Sequence, residues 1–243
     1  MRRHEHSQHF LRNPYFVARL IDKVGIDSSD TVYDIGAGSG VITTALARKA
    51  KQVVAIELEP LALRKLRENT QSCANVSIVE GDILAMPLPS GRYKVFANIP
   101  FHISSQIVRR LTENAQPPIE CFLIVQKQFA QKLVLDNSHF TGALAMMIAP
   151  WFTVSVVRPL RRSDFSPPPN VDTVLMKITR RRTALLPVVY AANYRQFVAD
   201  CYHDPKLFAK TPRVQQAIAT DRNPSQLSIE EWVRLYMGTR HSN

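Results

Sequence analysis

What this chain lacks narrows its chemistry. Its three cysteines, Cys73, Cys121 and Cys201, are scattered, forming neither a disulfide framework nor a CxxC metal pair. They read as reduced, packed thiols. Its seven histidines include no HExxH and no His/Cys cluster at ligand spacing, so no metal is expected. No apolar run reaches about 18 residues, so no membrane-spanning helix is expected. The opening MRRHEHSQHF is charged and has no apolar h-region. It does not read as a secretory signal, and a cytoplasmic protein is expected. Negative charge is also scarce. Against 31 Lys and Arg stand 20 Asp and Glu, leaving a formal charge of +11 and a pI near 9.9. A soluble protein this basic usually meets a polyanion, with nucleic acid the first candidate.

What is present is a rhythm. Residues 14–24 carry apolar positions at helical spacing behind Asn13-Pro14, a cap followed by a first-turn proline. TVYDIGAGSG then reads as a strand entering a Gly-rich turn, and VITTALARKA as a helix. Strand and helix alternate again through 52–57, PLALRKLREN, 76–80, YKVFA, 102–111, IECFLIV and QKQFAQKLV. That alternation predicts a parallel sheet covered on both faces. WFTVSVVRPL and VDTVLMKITR then read as two neighbouring strands joined by RRSDFSPPPN, a loop stiffened by proline. After Arg180-Arg181-Arg182 the pattern turns helical and more polar. The expected organisation is a Rossmann-like α/β domain over residues 1–180 and a small helical domain over 181–243 that binds RNA or braces the first.

Asp34-Ile35-Gly36-Ala37-Gly38-Ser39-Gly40 sits between the first strand and helix, where a backbone without side chains turns tightly and lets a ligand approach. A dinucleotide fingerprint needs G-x-G-x-x-G, and Val41 occupies its third glycine position. No Gly-Lys-Ser/Thr follows, which excludes a P-loop. Glu57 ends the second strand and can accept from a ribose diol; Asp82 follows the third and can accept from an adenine amine. Each acid alone reads equally as a cap or a solvated loop charge. Three signals at successive strand ends favour an adenosine-bearing ligand, and the glycine spacing favours S-adenosylmethionine over a dinucleotide.

The fourth strand runs into Asn98-Ile99-Pro100-Phe101. The Asn98 side-chain oxygen and the Pro100 carbonyl are acceptors, and Phe101 offers a flat face. Together they suit an exocyclic amine on a planar base. Acceptors on the amine hydrogens draw the nitrogen lone pair out of conjugation, and these contacts strengthen toward the transition state.

At this point the sequence resembles the ribosomal RNA adenine N6-methyltransferases, the group containing the Erm macrolide-resistance enzymes and the small-subunit adenine dimethylases. The matching pieces are SQHFL (7–11), DIGAGSG (34–40), AIELE (55–59), EGDIL (80–84), NIPFHIS (98–104) and FSPPPNVDT (165–173). The resemblance implies that His9 and Leu11 border the methionine end of the donor and that Gly36, with Gly38 in the same turn, holds it by backbone. It implies that Glu57 takes the ribose, and that Asp82, next to Ile83, takes the adenine. Asn98 completes the donor pocket and grips the target amine, Phe101 stacks on the target base, and Phe165 closes over its other face. His9 and Phe101 stand where the family commonly has Asn and Tyr.

The Asn-Ile-Pro-Phe form and short tail are more similar to the Erm branch. That branch implies an adenine in the peptidyl-transferase loop of free 23S rRNA as substrate, macrolide–lincosamide–streptogramin B resistance as the outcome, and a monomer. The other readings are a small-subunit dimethylase of ribosome maturation and a non-catalytic RNA-binding relative. Arg109 and Arg110, Arg161 and Arg162, and Arg180 and Arg182 are the candidate RNA contacts, supported as a set because phosphate contacts add.

Overall fold

The computed structural model describes residues 10–11, 13–135, 141–211, 216–219 and 221–241. A two-residue strand β1 (Phe10–Leu11) precedes helix α1 (Pro14–Asp22). The expected cap forms there: Asn13 Oδ1 accepts from the Tyr15 and Phe16 amides at 2.9 and 3.3 Å. The apolar face of α1 then buries Phe16, Val17, Leu20 and Ile21. The alternation continues through β2 (Thr31–Ile35), α2 (Val41–Ala47), β3 (Gln52–Glu57), α3 (Pro60–Thr70), β4 (Val76–Glu80), β5 (Lys94–Asn98), α4 (Ser104–Thr112) and β6 (Glu120–Gln126). After α5 (Lys127–Gln131) and α6 (Ala143–Ile148) come β7 (Phe152–Leu160), β8 (Phe165–Ser166) and β9 (Thr173–Arg180). The remaining helices are α7 (Ala191–His203), α8 (Pro205–Ala209) and α9 (Ile229–His241).

Among the described residues seven strands form one sheet in the order β4-β3-β2-β5-β6-β9-β7. The first five pair in parallel; β9 runs antiparallel to β6 and has β7 as its other neighbour. This is the Rossmann-like sheet expected from the alternation, extended by the two later strands. The strand order reverses between β2 and β5, so a crevice opens at their carboxyl ends, where such sheets bind ligands. Strands covered on both faces are apolar between their ends, as in β5, where Val95, Phe96 and Ala97 are fully buried. Lys94 fixes the other end of β5 through an ion pair with Asp30 at 2.7 Å and a hydrogen bond to the Gly25 carbonyl.

The chain packs as two compact units, one running to Ala130 and taking up Ser155–Thr179, the other made of Gln131–Val154 and Arg180–Asn243. A single cut at residue 180 misses that residues 131–154 belong with the C-terminal helices. The physical reason is aromatic: Trp151 meets Tyr194 edge-on at 5.7 Å and donates from Nε1 to the Leu186 carbonyl at 2.8 Å. The Arg181 guanidinium donates to the Ala149 carbonyl at 2.8 Å in the same unit. The RRSDFSPPPN connection is also more ordered than a loop, because β8 pairs antiparallel with β1, setting Leu11 opposite Phe165. Cys121 and Cys201 are buried, and burial pushes both thiols up, Cys201 to about 12.

Gly40 is the glycine the packing cannot replace. Its φ is +88°, and an added Cβ would lie 2.8 Å from Leu66 Cδ1 and 3.4 Å from Thr70 Cγ2 on α3. Gly40→Ala is therefore expected to destabilise the protein by about 1–3 kcal/mol. Gly25→Ala, with nothing within 4 Å of the added atom, is expected to leave stability unchanged or slightly raised. Urea unfolding of the two variants checks the contrast.

Candidate active site

Parallel strands whose polar residues fall just at their ends deliver those residues to one edge. β3 brings Glu57, the turn after β4 brings Asp82 and Ile83, and β5 brings Asn98, Pro100 and Phe101. With Gly36 from the turn after β2, they line one cavity of about 410 Å³. Apolar side chains of Ile35, Ile56, Ile99 and Ile107 form much of its remaining wall.

Glu57 is almost wholly buried, at 7% exposure. Its Oε2 accepts from the Gly38 amide at 2.7 Å, and its Oε1 from the Leu58 and Glu59 amides at 2.8 and 2.9 Å. A carboxylate has about four acceptor directions, so three are filled and one remains for a ligand hydroxyl. The expected pair of bonds to a diol is thus reduced to one unless a backbone bond yields. Gly38 is a loop-closing residue bonded to Glu57 and does not line the cavity. The Gly36 amide donates to the Ile56 carbonyl at 2.8 Å, so that donor is committed to the scaffold while the residue lines the cavity. A Cβ there would stand 4.0 Å from Pro100 Cδ.

Asp82 is exposed; its Oδ1 accepts from the Leu84 amide at 2.8 Å, and its carbonyl accepts from the Ala85 and Met86 amides. At the opposite wall, the Pro100 carbonyl accepts from the Ile103 amide at 3.2 Å and the Ser104 hydroxyl at 3.4 Å. That carbonyl is committed to the turn that starts α4. Ile99, one residue earlier on the cavity wall, carries the neighbouring carbonyl, outside the hydrogen bonds of that turn. Phe101 is half-buried and lines the cavity, as do Leu58 and His102, which sequence reasoning left out. Leu58 follows the acid that ends β3, and His102 follows the aromatic, so motif adjacency was the available signal for both.

Two expected residues stand elsewhere. Leu11 and Phe165 are buried at 5% and 0% exposure in the hydrophobic core, packed with residues such as Phe16 and Phe96 and outside the cavity lining. Phe165 therefore presents no open face to a base. The strand pairing with β1 turns its ring into the core. His9 lies outside the described residues. Among the described residues no group of three or more His, Cys, Asp or Glu could hold a metal, and no helix is long and apolar enough to cross a membrane.

The arginines divide by burial. Arg109, Arg161 and Arg162 are exposed; Arg109 meets Glu113 at 3.0 Å and Arg162 meets Asp172 at 3.3 Å. Arg180 and Arg182 are exposed in the second unit. Arg110 is half-buried and donates to the Met86 carbonyl at 2.7 Å. It is a strut under the loop carrying Asp82 and Ile83, which removes it from the candidate RNA contacts.

One buried group lies beneath the turn. Asp34, with 0% exposure, accepts from Thr43 Oγ1 at 2.6 Å through Oδ2, while Oδ1 is buried without a partner. Burial pushes this carboxyl up to about 7; the Thr43 bond opposes the rise and the Glu57 charge adds to it.

Residues 1–219 match the family described as "Ribosomal RNA adenine dimethylase". An rRNA adenine N-6-methyltransferase of Escherichia coli is 32% identical over 196 residues, covering 80% of this chain and 78% of the relative. A dimethyladenosine transferase of Yarrowia lipolytica is 33% identical over 176 residues, covering 71% of this chain and 55% of the relative. The crystal structure of the 23S rRNA methyltransferase ErmE superposes with a TM-score of 0.80 at 26% identity, covering 94% of this chain and 98% of that one.

Asp34 gives a pH test. Its ordinary value is 3.8 and its folded value about 7, so between these limits the folded state holds a proton that the unfolded chain has lost. Stability from this group is fully present below the lower value and falls as pH rises toward the upper one, by at most about 1.4 kcal/mol per unit. Asp34→Asn removes the titration. Its stability relative to the parent is expected to rise between pH 5 and pH 8 and then level off, as read by urea unfolding across that range.

Proposed function

This chain belongs to the ribosomal RNA adenine dimethylase family, and on that premise we propose that it methylates N6 of an adenine in the peptidyl-transferase loop of 23S rRNA. Cytoplasmic free RNA or an early precursor is the substrate, and the working form is a monomer. The modification blocks macrolide, lincosamide and streptogramin B contact with the ribosome. The observation that carries this reading is the cavity wall itself, where Asn98, Ile99 and Phe101 face a space whose other strand ends supply Glu57 and Asp82. The likeness to ErmE over nearly the whole chain supports the 23S branch.

The residues fit S-adenosylmethionine, which when bound supplies an electrophilic methyl group on a sulfonium. Glu57 has one acceptor direction for a ribose hydroxyl, and Asp82 keeps Oδ2 for an adenine amine. Leu58 and Ile83 give the flat ring apolar surfaces. On the other side, Asn98 Oδ1 and the Ile99 carbonyl accept the two hydrogens of the target amine. As those bonds shorten, the nitrogen becomes tetrahedral and its lone pair is exposed along the line to the methyl group. The methylated nitrogen is acidic and releases its proton to water, so these residues need no strong base. Stacking on Phe101 contributes ~1–3 kcal/mol, offsetting the few kcal/mol needed to unstack the base. Arg161 and Arg162 in the first unit and Arg180 and Arg182 in the second hold phosphates.

The 33% identity to a dimethyladenosine transferase favours a second reading, methylation of small-subunit RNA in ribosome maturation. The deciding experiment is transfer of tritiated methyl to protein-free 23S rRNA, 16S rRNA and assembled large subunits, with the modified base mapped. Label on one 23S adenine, absent from assembled subunits, is the expected result. Label on 16S adenines would replace the first reading by the second.

Two variant sets test the roles. Asn98→Ala is expected to lower methyl transfer by about 10²–10³ with RNA still bound, and unchanged turnover would remove Asn98 from the chemistry. Arg161→Ala combined with Arg162→Ala is expected to weaken RNA binding and flatten its salt dependence while S-adenosylmethionine affinity holds. Equal loss of both affinities would show a folding defect instead.

A further inference from the structure

The cavity is electrically polar. All of its carboxylates lie on one side: Glu57 and Glu59 at the end of β3 and Asp82 after β4. Glu59 caps α3, accepting from the Leu61 and Ala62 amides. The side formed by the end of β5 has Asn98, Pro100, Phe101 and His102 and no acid. A strand bearing one negative charge per nucleotide is repelled from the first side and not from the second.

The helix leaving that second side is built to receive such a strand. The turn after Phe101 puts His102 on the cavity wall and in solvent. α4 then buries Ser104, Ile107, Val108 and Leu111, so Ser105, Gln106 and Arg109 share the outward face, and all three are exposed. Over the seven residues from His102 to Arg109 the rise is roughly 10 Å, room for more than a single phosphate. Arg109 is paired with Glu113 on the surface at 3.0 Å, with its side chain 55% exposed. Such a pair is weak and exchanges readily for a phosphate.

We propose that the outer face of α4, running from His102 through Gln106 to Arg109, is the track on which the RNA flanking the target adenine lies. This rests on the RNA methyltransferase reading above and adds to it the side from which the strand enters. Single-stranded RNA is the occupant because the track is continuous with the seat for the base, and its only charged groups before Glu113 are basic.

The test pairs two charge reversals. Gln106→Glu with Arg109→Glu alters the track; Arg64→Glu with Lys65→Glu alters exposed positions on α3, the helix that leaves the acidic side. The first is expected to raise the Kd for a 23S rRNA hairpin at least tenfold and to lower the salt slope by about one, with S-adenosylmethionine affinity unchanged as proof of folding. The second is expected to stay within twofold of the parent. In parallel, 4-thiouridine placed beside the target adenine is expected to crosslink to the peptide spanning 102–109. Equal or greater loss in the α3 variant, a silent α4 variant, or crosslinks to 60–70 would overturn the track while methylation by the parent protein left the proposed function standing. A parent protein that binds S-adenosylmethionine but neither binds nor methylates any rRNA would overturn that function and the track together.

Discussion

The site depends on one carboxylate. Glu57 gathers the amides of Gly38, Leu58 and Glu59, and so ties the turn after β2 to the end of β3 and the start of α3. Three charge-assisted bonds, each contributing about 1.5–3 kcal/mol net, offset the several kcal/mol required to bury a carboxylate. An apolar residue at position 57 would leave three amides unpaired in a wall that is otherwise mostly apolar. The turn that brings Gly36 to the cavity is tied down at Gly38 by this acid, which lines the cavity itself, so one group serves as lining and scaffold.

A second layer of support lies further out. Arg110 reaches back from α4 to the Met86 carbonyl and steadies the loop bearing Asp82. Gly40 lets α2 approach α3 closely enough that Leu66 and Thr70 pack against the turn. Lys94, at the start of β5, anchors the strand whose far end holds Asn98. The residues facing the cavity are thus positioned by groups that never touch it.

Much of this is legible in the sequence because it is periodic or terminal. Strand and helix alternate with clear spacing, and Glu57, Asp82 and Asn98 mark the points where apolar strands stop, so their convergence follows from a parallel sheet. What is illegible is non-local. An aromatic in a proline-rich segment reads as exposed, and only the pairing of Leu11 with Phe165, more than 150 residues apart, turns that ring into the core. A surface-like arginine becomes half-buried because a carbonyl 24 residues away takes its donor, as Arg110 shows. Residues 131–154 join the C-terminal helices through Trp151, whose partners Tyr194 and Leu186 lie beyond the next strands. The amide bonds of the glycine turn, which commit the Gly36 and Gly38 donors to Ile56 and Glu57, join residues about 20 positions apart and leave no local pattern.

The division of the cavity into an acidic and an acid-free side has a bearing on inhibitor chemistry. A compound filling only the side of Glu57 and Asp82 meets carboxylates and gains from a positive charge and hydroxyl donors, features shared with any enzyme that binds the same donor. The side of Asn98 and Phe101 offers acceptors and an aromatic face without a charge to satisfy, and rewards a neutral planar amine. Joining a cationic head to such a plane would use both halves at once, and selectivity would come from the uncharged half.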